Sequence, residues 1–189
     1  TPRMELTDAF AKAVETSGIL VANVKPDQLG SATPCTEFDV KALANHMVGG
    51  LLMFDSAARG TSIDMEALTR DFVAAGASDE YDKAASTLGQ VLSQDDVLKG
   101  KWELPFGSMP GMIAIGIGII EAVQHGWDLA RATGQTVTFD SEIIEIAMRT
   151  AKMMPVEQAR NPRVFGPELP APAGASLQDE LAAFLGRTV

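Results

Sequence analysis

The amino-acid sequence predicts an all-α protein, a bundle of several long helices joined by polar loops. Apolar side chains recur at helical spacing in long segments of the chain. Capping residues and glycines bound most of those segments, and no two segments form a convincing pair of strands. With 189 residues, the chain is expected to form a single domain, residues 1–189, large enough to bury a substantial core.

Two helices are predicted in the first third of the chain. The first covers about residues 5–24, and Gly18 inside it is interpreted as a kink or a break. The second begins after Asp39, a residue type that favours the N-cap position, and runs to about Ala58. Gly60 is expected to end it, because glycine readily adopts the left-handed conformation that closes many helices.

The middle of the chain contains a weaker helical pattern, a stronger one and a loop. Residues 65–74 are a candidate short helix, and residues 81–93 have the periodicity of a third main helix. Residues 100–111 are rich in Gly and Pro. We predict that they form a crossover loop in which short extended pieces could occur.

The segment from 110 to 133 fits two patterns. Its isoleucines first alternate with Ala and Gly, which by itself favours a strand. The apolar character continues up to Gly134, however, and such a run is far too long for one ordinary strand. A helix is therefore predicted, in which Gly116 and Gly118 allow close approach of a neighbour at roughly 1 kcal/mol each in lost propensity.

Three elements complete the predicted fold. Asp140 and Ser141 cap a helix that runs to about Met154. Residues 161–176 form an arm rich in Pro and Gly, and residues 177–185 form a short final helix.

Composition excludes several classes of function. The net charge of −10, without any cluster of Lys or Arg, argues against nucleic-acid binding. The longest apolar run is about half of what a membrane span needs, and the N-terminal residues show no apolar signal segment. With Cys35 as the single cysteine, no intrachain disulfide can form, which favours a reducing compartment. We expect a soluble, cytoplasmic protein without nucleic-acid or membrane partners.

The chain has only two histidines, and both lie in stretches nearly free of charge. Glu121 precedes His125 by four residues, so on a helix the two side chains point the same way from successive turns. An ionised Glu121 inside an apolar bundle is unfavourable unless it is paired or bound to a metal. His46, from another helix, would complete a site of two histidines and one carboxylate, a donor set that suits zinc and its neighbours, nickel included. The alternative is that both histidines are hydrogen-bonded core residues.

Other polar residues near these segments have two interpretations each. Asp128 could orient the imidazole three residues before it, but an ion pair with Arg131 along the helix is favoured. Trp127 is expected in the core rather than in contact with substrate. Asn45 either lines the site or bonds to backbone. Cys35 is expected to be a small buried residue rather than a nucleophile, because a reactive thiol needs a base or a cation beside it.

Two segments resemble sequence motifs of a known superfamily. Residues Thr33–Gly50, which contain the first histidine, and Glu121–Gln135, which contain the second, resemble the two signature motifs of the DinB-like metal-binding superfamily. The most similar branch contains the mycothiol-dependent maleylpyruvate isomerase N-terminal domain. Leu104–Gly107 and Ala183–Arg187 resemble that branch as well, whereas Phe38 stands where the branch usually has Trp.

The resemblance implies a fold, a site and a kind of chemistry. The fold would be a DinB-like four-helix bundle with a long crossover and a short C-terminal arm and helix. His46, Glu121 and His125 would be the metal ligands, and the activity would be that of an S-transferase or isomerase that uses a low-molecular-weight thiol such as mycothiol on a small electrophile. Hydrolysis by metal-bound water and a non-catalytic binding role remain alternatives. Exposed apolar helix faces would also permit a homodimer.

Overall fold

Seven α-helices and one β-hairpin make up the described part of the chain, residues 4–154 and 165–189 of a computed structural model. The all-α prediction is confirmed, since the only sheet in this part is the hairpin. The elements in chain order are α1 (Leu6–Ala22), a 3-10 turn (Pro26–Gln28), α2 (Val40–Arg59), α3 (Met65–Leu68), α4 (Phe72–Leu92), β1 (Lys101–Leu104), β2 (Gly107–Pro110), α5 (Gly111–Thr133), α6 (Ser141–Met153) and α7 (Leu177–Phe184).

Four of these helices form the bundle. Helix α1 packs against α4 and α5, and α2 packs against the same two helices, so that the four enclose one apolar core. Helix α6 packs against another side of α5, and α7 packs against α6. Because α5 has neighbours on so many sides, its apolar residues are buried around nearly its whole circumference, as expected for a central helix.

The boundaries of the two helices that carry the histidines agree with the prediction. Asp39 caps α2, and its carboxylate accepts a hydrogen bond of 2.8 Å from the amide of Ala42. Gly60 and Gly134 end α2 and α5 in the left-handed conformation, with φ of 72° and 68°. The alternating isoleucines therefore belong to a helix, and the length argument correctly excluded a strand.

The two glycines in the first half of α5 permit close helix packing, as predicted. A Cβ added at Gly118 would lie 2.9 Å from the ring of Phe10 in α1. A Cβ added at Gly116 would lie 2.8 Å from the hydroxyl of Thr150 in α6. Any larger residue at either position would clash with a neighbouring side chain, which would have to shift.

One prediction in the first half of the chain was wrong, and another had the wrong helix boundaries. Gly18 neither kinks nor breaks α1; it allows the ring of Tyr81 in α4 to approach, at 3.1 Å from an added Cβ. The predicted helices at residues 65–74 and 81–93 are divided differently, because Asp71 caps a new helix at Phe72 that continues through the second segment. Gly76, with φ of 102°, kinks that longer helix, which explains why its periodicity is interrupted.

The predicted crossover loop is largely a β-hairpin. Strands β1 and β2 pair antiparallel, from Lys101 opposite Pro110 to Leu104 opposite Gly107. Trp102 anchors the hairpin, since its ring is buried and its indole N–H donates to the carbonyl of Val97. Four-residue strands are too short to produce a clear alternation, so the sequence pattern indicated only extended pieces.

The C-terminal segment ends in the predicted short helix. Ser176 caps α7, its hydroxyl accepting a hydrogen bond of 3.1 Å from the amide of Asp179. The beginning of the predicted arm, residues 161–164, lies outside the described residues. Within the described chain, every helix is too short or too polar to span a lipid bilayer.

Candidate metal centre

Helices α2 and α5 bring the three predicted ligands together. The Nε2 atom of His46 lies 3.2 Å from Oε2 of Glu121, and Nε2 of His125 lies 3.0 Å from the same oxygen. The two imidazole rings are nearly perpendicular, with centroids 4.9 Å apart. One ligand atom from each residue falls within 4.8 Å of the others, which is close enough for all three to contact one ion.

The helical repeat explains this arrangement. Gly118, Glu121, Ala122 and His125 follow the spacing i, i+3, i+4 and i+7, so they share the face of α5 that is turned toward the bundle interior. His46 lies on the opposing face of α2. The side chains therefore meet because two helices pack, although residues 46 and 121 are far apart in sequence.

The three side chains differ in their exposure to solvent. His125 is buried, with 1% of its side chain exposed, whereas His46 and Glu121 keep 31% and 29%. The site is therefore open on the side of α2 and closed behind His125. A molecule arriving from solvent would reach His46 and Glu121 first.

The Nε2 atom of His125 has no hydrogen-bond partner among the described residues, although it is fully buried. Its nearest charged neighbour is Oε2 of Glu121, 3.0 Å away, which is an ion-pair distance. Buried polar atoms without a partner are rare in folded proteins. Two imidazole nitrogens and a carboxylate oxygen are the donor set of many zinc sites, so these residues fit a divalent metal ion.

The other nitrogen of His125 is held by a buried ion pair. Nδ1 of His125 lies 3.1 Å from Oδ2 of Asp128. Arg187 donates to both oxygens of that carboxylate, at 2.7 Å and 3.0 Å, and Gln124 donates to it at 3.3 Å. Asp128 and Arg187 are 0% and 3% exposed. Asp128 therefore accepts the Nδ1–H of His125, which directs Nε2 toward Glu121.

The favoured prediction of an ion pair between Asp128 and Arg131 was wrong. Arg131 points outward and pairs with Asp179 of α7 at 3.4 Å, while its guanidinium stacks on Trp127. The partner of Asp128 is Arg187, which lies 59 residues further along the chain. Spacing along one helix could not identify a partner that another segment supplies.

Phe165 closes the buried side of the site. Its ring stacks on the imidazole of His125, with centroids 5.6 Å apart and planes inclined by 16°. The guanidinium of Arg187 lies 5.5 Å from the centroid of the same ring. Phe165 and Arg187, both from the C-terminal segment, thus lie close to the candidate ligand of α5. No local sequence pattern indicated Phe165.

The charges of the site shift the pKa values of its members. Burial opposes ionisation of Glu121, but the two imidazoles hold the pKa of that carboxyl well below its usual range. Burial likewise favours neutral His125, but Glu121 and Asp128 outweigh burial and raise the pKa of His125 to about 9. Without a metal ion, His125 is therefore protonated at neutral pH, and a metal ion must displace that proton.

Cys35 lies near the site without belonging to the predicted ligand set. Its sulfur, together with His125 and Asp128, forms a second group of ligand atoms within 4.8 Å of one another. Burial raises the pKa of the Cys35 thiol to about 11, although Arg187 partly opposes this. Since metals bind the thiolate and Asp128 is already paired with Arg187, this second group is the poorer metal site. The expectation of a buried, unreactive cysteine agrees with this environment.

The remaining candidate residues have structural positions. Asn45 accepts a hydrogen bond from the amide of Val73, at 3.0 Å, and so joins α2 to the start of α4. Trp127 is buried, as predicted, and its indole N–H donates to Asp179. Phe38 packs on the imidazole of the candidate ligand His46, with ring centroids 4.9 Å apart.

A small cleft lies beside the three candidate ligands. Its volume is about 30 Å³, which accommodates about two water-sized groups. Apart from the three ligands, the residues that line it are apolar or aromatic: Phe10, Met47, Gly50, Leu51, Phe54, Tyr81, Gly118 and Ala122. The phenol of Tyr81 is turned away, since it donates to the carbonyl of Val14.

Two curated proteins of Mycobacterium tuberculosis are similar to almost the whole chain. "Uncharacterized protein Rv0738" of strain H37Rv and "Uncharacterized protein MT0763" of strain CDC 1551 / Oshkosh are each 35% identical to it over 182 residues. The similarity covers 96% of this chain and 97% of each relative. The chain belongs to their family. No family model matches the sequence.

Solved structures of a named enzyme share the fold. Crystal structures of the mycothiol-dependent maleylpyruvate isomerase, and of a variant of it with one histidine replaced by alanine, superpose on this chain with a TM-score of 0.56. The superposition covers 78% of this chain and 68% of the solved chain in both cases, at 14% identity for the isomerase and 15% for the variant. At this level of identity, the comparison establishes the fold of this family member and leaves its activity open.

Proposed function

We propose that this protein is a DinB-like metal-dependent enzyme that uses a low-molecular-weight thiol. One divalent ion binds to His46, Glu121 and His125; zinc is the first candidate and nickel the second. A thiol such as mycothiol then reacts there with a small electrophile, in a transfer or an isomerisation. The observation that carries the proposal is the buried Nε2 of His125, which faces Glu121 and His46 without a hydrogen-bond partner among the described residues.

The protein's own residues have distinct roles in this proposal. Zinc bound there would lower the pKa of a coordinated thiol or water, so that the nucleophilic form exists at neutral pH. His125 is fixed from behind by Asp128, and its burial keeps water from that side. His46 and Glu121 lie at the open mouth, where a thiol enters. The apolar wall of the cleft would pack against the carbon atom next to the sulfur of the thiol.

The size of the cleft limits how a thiol fits. About two water-sized groups can lie beside the three ligands, which is sufficient for a sulfur atom and the carbon next to it. The remainder of a sugar-linked thiol must lie outside the cleft, at the mouth formed by His46 and Glu121. The name of the structurally similar isomerase supports mycothiol as the first thiol to test.

A second candidate function is hydrolysis by metal-bound water. The same small volume favours it, because water molecules fit such a cleft without any further binding surface. Zinc held by three protein ligands with one open position lowers the pKa of bound water to roughly 7. The two candidates share the metal site and differ only in the nucleophile.

The first experiment measures metal and turnover together. Protein without a histidine tag is purified without chelator, and its metal content is determined by elemental mass spectrometry beside the His125→Ala variant. We expect about one zinc ion per chain, which the variant loses. The zinc-loaded protein is then incubated with mycothiol and a panel of small electrophiles, and with a panel of esters and amides.

The outcomes separate the candidates. Thiol consumption faster than with the zinc-free protein supports the proposed function, whereas zinc-dependent hydrolysis alone supports the second candidate. Absence of metal, even after reconstitution with zinc, would contradict both. The cytoplasmic location and the homodimer that the sequence would permit are independent of this outcome. Light scattering tests for the homodimer.

A further inference from the structure

The C-terminal segment contributes a buried arginine to the surroundings of the proposed metal site. Arg187 follows α7, and its guanidinium binds both oxygens of Asp128, at 2.7 Å and 3.0 Å. A third contact, from Nη1 to the carbonyl of Leu185 at 3.0 Å, fixes the plane of the guanidinium. Such a bidentate contact holds a carboxylate in one orientation, which a single hydrogen bond cannot do.

Asp128 and Arg187 form an almost completely buried ion pair. Asp128 and Arg187 are 0% and 3% exposed, and burying an ion pair typically gives little net stability compared with apolar residues of the same shape. The oxygen of Asp128 that Arg187 binds at 2.7 Å is the same one that lies 3.1 Å from Nδ1 of His125. Arg187 thus contacts the atom that orients the imidazole.

We propose that Arg187 is a positioning residue for His125: by clamping Asp128, it keeps Nδ1 of the imidazole bonded and Nε2 turned toward Glu121 and His46. This rests on the proposed function, in which Nε2 is a metal ligand. Phe165 supports the same geometry, because its ring lies against both His125 and Arg187. The C-terminal segment is therefore part of the metal site, although it provides no ligand.

Charge neutralisation gives Arg187 a second effect on the site. Glu121 and Asp128 both lie within 3.1 Å of His125. Arg187 balances the charge of Asp128, so that Asp128 orients the imidazole without adding a second uncompensated anion beside the ligands. We expect a variant without this cation to hold His125 in a less defined orientation.

The test compares three variants of the full-length, tag-free protein by zinc affinity. Arg187→Met removes the clamp, and Asp128→Asn removes the carboxylate. Arg131→Met is the matched control, because Arg131 also joins α5 to α7 but does not contact Asp128. We expect Arg187→Met and Asp128→Asn each to lower the affinity by about 10- to 100-fold, as losses of such outer contacts do. The control should change it by less than about twofold.

The double variant Asp128→Asn with Arg187→Met keeps the test valid if Arg187→Met does not fold. It contains no unpaired buried charge, and its affinity should be no lower than that of Asp128→Asn alone, because both changes act through one carboxylate. If the fold-losses in zinc affinity of the two single variants multiplied in the double variant, the proposal would be overturned, because Arg187 would then act independently of Asp128. Wild-type affinity in Arg187→Met would overturn it as well.

A readout that needs no metal separates this inference from the proposed function. The chain has two histidines, so long-range proton–nitrogen NMR spectra of labelled, metal-free protein show only two imidazoles. We expect the Nδ1 proton of His125 to be protected from exchange in the wild type and in Arg131→Met, and exposed in Arg187→Met. If the wild type binds no zinc but this pattern holds, the proposed function fails and the positioning role stands. An equally protected proton in Arg187→Met would refute the positioning role.

Discussion

The two histidines of the candidate site lie in opposite environments. His125 is buried, bonded through Nδ1 to Asp128, and stacked on Phe165. His46 is 31% exposed, and the contacts described for its ring are those with Phe38, Glu121 and His125. One half of the site is therefore fixed before any ligand arrives, whereas the other half faces solvent. This difference predicts that equal substitutions in the two halves have unequal effects.

The largest effect is expected for His125→Ala. Structural zinc sites contribute roughly 10–16 kcal/mol through four ligands, so one ligand contributes roughly 3 kcal/mol, which is more than about 100-fold in affinity. The variant also leaves a hole beside Phe165 that no other ligand fills. Competition with a chelator of known affinity measures the loss. A fall of less than about tenfold would mean that His125 is a core residue.

A smaller loss of zinc affinity is expected for His46→Ala. Because this position is partly exposed, a water molecule can replace the missing imidazole in the coordination shell. We expect zinc affinity to fall by about 100-fold, the upper end of the loss for an outer contact, and by less than for His125→Ala measured in the same titration. A loss as large as that of His125→Ala would contradict the comparison between a fixed and an open half.

The pH dependence of metal-free protein tests the buried half alone. The pKa of His125 is raised from 6.5 to about 9, so its protonated form stabilises the fold fully below pH 6.5. That contribution is lost as the pH rises through 9. Urea unfolding of chelator-treated protein should therefore show falling stability from pH 6.5 to pH 9.

Zinc-loaded protein and the His125→Gln variant are the controls for this dependence. The zinc ion displaces the proton, and the variant has none to lose, so both should show a much flatter profile over the same range. A profile in metal-free His125→Gln as steep as that of the wild type would assign the effect to another group.

The smallest effect is expected for Cys35→Ser. The thiol lies within reach of His125 and Asp128 but is kept protonated by burial, with a pKa of about 11. Zinc affinity should stay within about twofold of the wild type, measured by the same chelator competition. Loss of zinc on this change alone would move the metal to the second group of ligand atoms, which contains Cys35.

Sequence patterns were sufficient for the parts of the candidate site that depend on a single helix or on the small number of histidines in the chain. The spacing of Glu121 and His125 placed them on one helical face, and His46 followed as the only other histidine. The length of the α5 segment distinguished a helix from a strand.

The remaining parts depend on contacts between distant segments. Asp128 and Arg131 are neighbours along α5, but Asp128 faces the interior and Arg131 faces solvent. The sequence around them is apolar on all sides of the helix, so it does not reveal which of the two is buried. Arg187 reaches Asp128 only because α7 packs near α5. The hairpin was predicted only as a loop in which short extended pieces could occur, because four-residue strands contain too few residues for a clear pattern.

The most direct test of the metal site is a zinc titration followed by NMR on the two imidazoles of tag-free, labelled protein. We predict that the Nε2 resonances of His46 and His125 shift together and stop changing at about one zinc ion per chain. The Nδ1 of His125 should stay protonated throughout, because Asp128 holds its proton. Unchanged Nε2 resonances, or zinc binding at Nδ1 of His125, would contradict the account.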